Sequence, residues 1–237
     1  MNTTTRYRIR ICTQDDPYNP RKENDNIGKM ACWHRHYTLG DEQPDVSHAM
    51  HTYALARAVD DTLPEWDDAT DVDAQRAQEV FDAQYLHLPL YLYDHGGITM
   101  RTTPFSCPWD SGQVGFIYVS RKRAAEEWGE DFIDVRVLAC LLAEVEEYDQ
   151  YLTGNVYEYE IEEAETFEKK SLKTGWTEEV DEWSDYDSCG GFYGSDPEKN
   201  GMLDNVESFA RDALKSAAND IGEWVEFEVP ENTQEAA

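Results

Sequence analysis

The chain has 237 residues, 40% hydrophobic and 12% aromatic, with seven tryptophans spread along it, so it has enough apolar material for a core and is not a disordered polymer. Fifty acidic residues against 20 Lys and Arg give a net charge of −30, which excludes a general nucleic-acid binder because phosphates would be repelled. Five cysteines without a CxxC pair, a start without an apolar segment and no apolar run near about 18 residues argue against a disulfide scaffold, a secretory leader and a spanning helix.

The expectation is a soluble protein of the cytosol with reduced thiols. Tyr7, Ile9 and Ile11 alternate with Arg6, Arg8 and Arg10, the period-two pattern of a strand with one buried and one wet face. An Asp-, Asn- and Pro-rich stretch then predicts a long loop, and residues 29–39 return to a strand-like pattern. From Ser47, a good N-cap, Met50, Ala54, Leu55, Ala58 and Val59 fall on one helical face, and a second short helix is expected over 72–84.

Leu86, Leu88, Leu90 and Leu92 mark a strand that Pro89 demotes to an edge or bulged position. Residues 98–103 return as its hairpin partner, and 113–120 are apolar at nearly every position, as in a strand covered on both faces. The clearest helix follows, with Phe132, Val135, Leu138, Leu142 and Val145 three or four apart and Gly154 as its stop. Tyr157, Tyr159 and Ile161 alternate with glutamates in another strand, and a polar, Trp- and Asp-containing region runs to about residue 201. A last helix carries Leu203, Val206, Phe209 and Ala213, and Val225, Phe227 and Val229 mark a closing strand. Hairpin-like strands with a few packed helices and no βαβ rhythm predict an α+β fold on a mostly antiparallel sheet. It is expected as one domain over 1–230, with a frayed acidic tail at 231–237.

The acid excess is uneven, since 27 acidic residues face 6 basic ones from Glu144 onward. Distributed acid with only eight lysines fits adaptation to concentrated salt, where screening within about 3 Å at 1 M removes self-repulsion. DNA mimicry and cation storage are the competing explanations. The best mimic surface runs from Glu144, Glu146, Glu147 and Asp149 to Glu158, Glu160, Glu162 and Glu163, because alternate strand glutamates point one way. Pairing with Arg6, Arg8, Arg10 or the Arg121, Lys122, Arg123 cluster is the plainer use of these acids.

Two constellations carry chemistry. Asp94, His95, Cys107 and Asp110 stand at neighbouring hairpin ends, where a thiol, an imidazole and an orienting acid are the parts of a cysteine nucleophile. Ordinary turn chemistry explains the same residues. Cys32, His34 and His36 alternate along the expected second strand, with His48 and His51 on the following helix, so these groups are candidate zinc ligands although their spacing matches no finger. No phosphate-loop, dinucleotide or zinc-protease motif occurs, and no cofactor is assigned.

The run from Leu88 to Ser120 (LPLYLYDHGGITMRTTPFSCPWDSGQVGFIYVS) resembles the centre of a family of uncharacterised proteins encoded by tailed viruses of bacteria and archaea. Asp25–Asp41, Tyr148–Glu162 and Asp187–Gly194 are similar to other parts of that family's pattern. The resemblance implies a viral accessory protein, here of a halophilic host, acting in the host cytoplasm on a host protein of defence or DNA processing. It assigns no residue a role. A Cys/His-dependent hydrolase or transferase centred on Cys107 and His95 is the alternative, and a virion-associated protein the third. Neither direct nucleic-acid binding nor a membrane partner is expected.

Overall fold

The first alternating segment forms β1 (Thr4–Thr13), which buries Tyr7, Ile9 and Ile11 and turns its arginines to the opposite face. The computed structural model describes residues 4–170 and 176–230, and the expected tail at 231–237 lies outside them. The fold is α+β, with two four-stranded antiparallel sheets. The sequence pattern predicts one domain over 1–230; the contacts group into two compact units, a contiguous one over Asn19–Thr153 and a split one of Met1–Tyr18 with Gly154–Ala237. Among the described residues no helix is long and apolar enough to cross a membrane.

In the contiguous unit the strands are β2 (Lys29–Cys32), β3 (Tyr85–Asp94), β4 (Ile98–Arg101) and β5 (Ser111–Ser120), in the order β2-β5-β3-β4. Its helices are α1 (Pro20–Glu23), α2 (His48–Arg57), α3 (Asp71–Gln84), α4 (Arg121–Trp128) and α5 (Asp134–Leu152). As its composition predicts, β5 is covered on both faces. Ile117 and Val119 pack with Val137, Leu141 and Val145 of α5, whereas Phe116 and Tyr118 pack with Tyr53 and Ala56 of α2 and Phe81 of α3. Pro89 sits where β3 has a neighbour on one side only, because β4 pairs no further back than Tyr91. A register shift at Leu90/Tyr91 adjoins it.

Sequence and structure differ at several elements. β2 ends at Cys32 rather than continuing to residue 39, because Asp41 and Glu42 fold back to donate their N–H groups to Met30 O. Gly40 makes that return with φ +64, and a Cβ there would lie 2.7 Å from Met30 Cβ. Ser47 caps α2 as expected, yet the buried face is Thr52, Tyr53 and Ala56, and Val59 is exposed. The α5 stripe is met in part: Val145 is buried and Phe132 and Leu138 pack against the core as expected, but Val137, Leu141 and Tyr148 complete the buried face while Val135 and Leu142 face outward.

The split unit has the order β7-β6-β1-β8, with β6 (Val156–Lys170), β7 (Thr177–Tyr193) and β8 (Val225–Pro230). The polar region to which the sequence assigns no element is largely β7, held by pairing along β6 rather than by an apolar pattern of its own. The expected last helix is broken into α6 (Met202–Asn205), a 3₁₀ turn at Ser208–Ala210 and α7 (Arg211–Ala217). These pieces still bury Met202, Val206, Ala210 and Leu214 against Tyr7, Ile9 and Tyr159.

Two substitutions test this packing. Gly115→Ala puts a Cβ 2.0 Å from Ala31 O where β2 and β5 pair, so urea unfolding should show a loss of at least about 1–3 kcal/mol. Arg21→Met strips the cation from Asp41 and Glu144, where the arginine side chain is 1% exposed, and should cost about 3–5 kcal/mol in the same measurement.

Candidate functional site

The four catalytic candidates do meet at one end of the contiguous unit's sheet. The β3–β4 turn, with Gly96 at φ +73, presents Asp94 and His95, and the loop into β5 presents Cys107 and Asp110. A hydrogen bond from Asp94 N to Asp110 O (2.8 Å) ties the two segments together. Cys107 Sγ donates to Asp110 Oδ2 at 3.5 Å, and His95 Nδ1 lies 3.6 Å from the same oxygen. The carboxylate thus occupies the place beside the thiol that a Cys/His nucleophile gives to imidazole. Asp94 is turned elsewhere, accepting from Tyr37 Oη at 3.3 Å. His95 and Trp109 are open to solvent, at 71% for the imidazole side chain and 90% for the tryptophan.

The metal candidates are dispersed. Cys32 is buried in the core, where burial first and then Asp41 push its thiol up to about 12. His34 lies past the end of β2, and its Nδ1 accepts from the N–H groups of His36 (3.3 Å) and Tyr37 (3.2 Å) to form a turn. His48 and His51 pack among aromatic rings instead. His48 lies 4.8 Å from Phe116 and 5.3 Å from Trp33, and His51 lies 5.6 Å from Trp33 and 6.1 Å from Tyr118. Burial holds both imidazoles below their ordinary value of 6.5, against a smaller upward pull on His51 from Glu42.

Among the described residues, the one His/Cys/Asp/Glu group with donor atoms as close as metal ligands is Cys12, Glu158 and Glu160. The Cys12 thiol is pushed up to about 11, by burial first and then by the two glutamates. Glu160 is also paired to Arg10 at 2.6 Å.

The glutamates of the expected binding surface are mostly engaged within the chain. Glu144 accepts from Arg21, Ile27 N and Gly28 N, and Glu147 accepts from Asn24 and is raised by burial. Glu158, Glu160 and Glu162 do share a sheet face as their spacing predicts. Glu160 closes on Arg10 and Glu162 on Arg8, and the Arg8 guanidinium lies 4.5 Å from the Trp183 ring and 4.4 Å from Trp224. This face is a ladder of ion pairs under tryptophan. A cleft of about 800 Å³ lies beside Arg21, but that guanidinium's five donors are all taken by Asp41, Asn26, Glu144 and Gly28 O, leaving none for an anion.

The feature missed in the sequence is the far end of the β6–β7 hairpin. β1 pairs with β6 no further than Ala164, whereas β6 and β7 continue through six more residue pairs, from Glu165↔Glu182 to Lys170↔Thr177. Residues 165–170 are all exposed, including Phe167 at 46%, and Trp176 is 65% exposed. Glu165 stands directly opposite Glu182, and Glu168 opposite Glu179, so like charges face each other on a ribbon without a third strand. The signal in the sequence is Phe167 and Val180, isolated apolar residues within acidic runs that pair across the strands.

No family model, curated protein or solved structure matches this chain.

The histidine nest sets a pH dependence. Unfolded imidazoles take up protons near about 6.5 and the folded ones only at lower pH, so the unfolded state binds more protons in between. Stability should therefore fall as pH drops through about 6.5 and level off below the folded values. Urea unfolding at pH about 7.5 and about 5.5 should show this slope, and a His48→Gln, His51→Gln double variant should flatten it.

Proposed function

We propose that the protein acts by binding a basic surface of another protein through the β6–β7 arm. The observation that carries this reading is the unsupported ribbon with two like-charged cross-strand pairs, Glu165↔Glu182 and Glu168↔Glu179, beside the exposed Phe167. Carboxylates held opposite one another raise the energy of the free arm, and a partner's Lys or Arg between them relieves it. Phe167 supplies the apolar anchor that such a contact needs. Set beside the resemblance of Leu88–Ser120 to tailed-virus proteins, the reading is of a viral accessory protein that engages a host protein in the cytoplasm, its acids standing in for the phosphates that a basic cleft normally holds. The remaining surface acids are an adaptation to salt.

The second reading is catalysis at Cys107, supported by the convergence of Cys107 and His95 on one carboxylate oxygen of Asp110. The two separate by experiment. The immobilised protein should capture a basic host protein from lysate, and a Glu165→Lys, Phe167→Ser variant should lose it while keeping its circular dichroism spectrum, since the introduced cation would pair with Glu182 and steady the arm. Capture that ignores the arm variant defeats the binding proposal. A host phenotype abolished by Cys107→Ser, with capture intact, favours the catalytic reading.

A further inference from the structure

The disagreement between spacing and burial on α5 leaves a second apolar stripe in view. Val135, Ala139 and Leu142 follow at i, i+4 and i+7 on the face opposite the core, with Val135 72% and Leu142 39% exposed and Ala143 beside them. The flanking charges are distinctive. Arg136 and Glu146 are both exposed, and neither side chain has a hydrogen bond or ion pair among the described residues, whereas nearby Arg121 closes on Asp134 at 2.7 Å. Arg35 and Arg211 also lack a side-chain partner among the described residues, so what sets Arg136 apart is its place beside an apolar stripe with an unpaired Glu146 ten residues on.

We propose that this face pairs with the same face of a second copy, antiparallel, across a two-fold axis near residue 141. A two-fold contact must be self-complementary, so that residue i meets j and j meets i. Centred there, Arg136 of each copy comes level with Glu146 of the other, Ala139 comes level with Ala143, and the two Leu142 side chains meet close to the axis. The alanines let the helices approach closely, and the spacing of 4 and 3 is that of a coiled-coil seam. The matched charges, symmetric about the apolar centre, favour a second copy over an unrelated partner. Two copies at −30 repel in dilute salt, and screening removes that term at high salt while the apolar contact remains.

Sedimentation equilibrium of the full chain at about 0.1 M and about 2 M KCl tests the proposal. The expected result is a monomer at low salt and a dimer at high salt. Leu142→Glu should weaken the dimer by about tenfold or more with the circular dichroism spectrum unchanged. At the lowest salt that supports the dimer, where the contact pair is least screened, Arg136→Glu should weaken it too, and Arg136→Glu with Glu146→Arg should restore it. A monomer at both salts, a larger assembly, a dimer indifferent to Leu142→Glu, or a charge swap that fails to restore association would each overturn it.

Discussion

A single buried guanidinium organises the contiguous unit. Arg21 joins three segments distant in sequence, because its carboxylate partners are themselves backbone acceptors: Asp41 takes Met30 N at 2.7 Å, and Glu144 takes Ile27 N at 2.8 Å. The segment leading into β2 is thereby fixed on α5, and Gly28 fits there because a Cβ would lie 2.5 Å from Leu141 Cδ2. Charge removed from water in this way is tolerated only when fully paired and hydrogen-bonded. The pairing is complete, which is why Arg21 itself offers no donor to the neighbouring cleft.

The same rule shapes the split unit in a wetter form. Cross-strand register sets Arg8 opposite Glu162 and Arg10 opposite Glu160, and Trp183 and Trp224 cover the guanidinium planes. The acids in the middle of the sheet are neutralised by register, whereas beyond Ala164 Arg6 still reaches Asp181 but Glu165, Glu168, Glu179 and Glu182 have no arginine partner among the described residues. Position along one hairpin therefore separates structural glutamates from available ones, a distinction that net charge does not make.

Much of the fold is legible in the sequence, and the failures share a cause. Strands with an alternating apolar face (β1, β3, β8) and the doubly covered β5 follow from side-chain period alone. β7 is not legible because its partner's backbone, not its own apolar pattern, holds it in place. Spacing misplaces the buried faces of α2 and α5 because each helix carries apolar residues on more than one side, and burial is decided by what packs against it. At the site, adjacency of hairpin ends is enough to bring Asp94, His95, Cys107 and Asp110 together. Which group faces the thiol depends on turn geometry that spacing does not encode. The zinc ligands fail at their premise, since the strand meant to align them stops at Cys32.

The placement of β1 has a bearing on how the chain is assembled. It lies between β6 and β8, with partners such as Glu162 for Arg8 and Glu226 for Arg6 that follow it by 154 and 220 residues. During synthesis the whole of 19–153 emerges before either neighbour exists, so β1 waits with three aliphatic or aromatic side chains uncovered. Its alternating arginines keep that waiting segment soluble and give it charge to attract the glutamate strands when they arrive. In a chain otherwise short of cations, their concentration at this one strand suits the interval as much as the finished sheet.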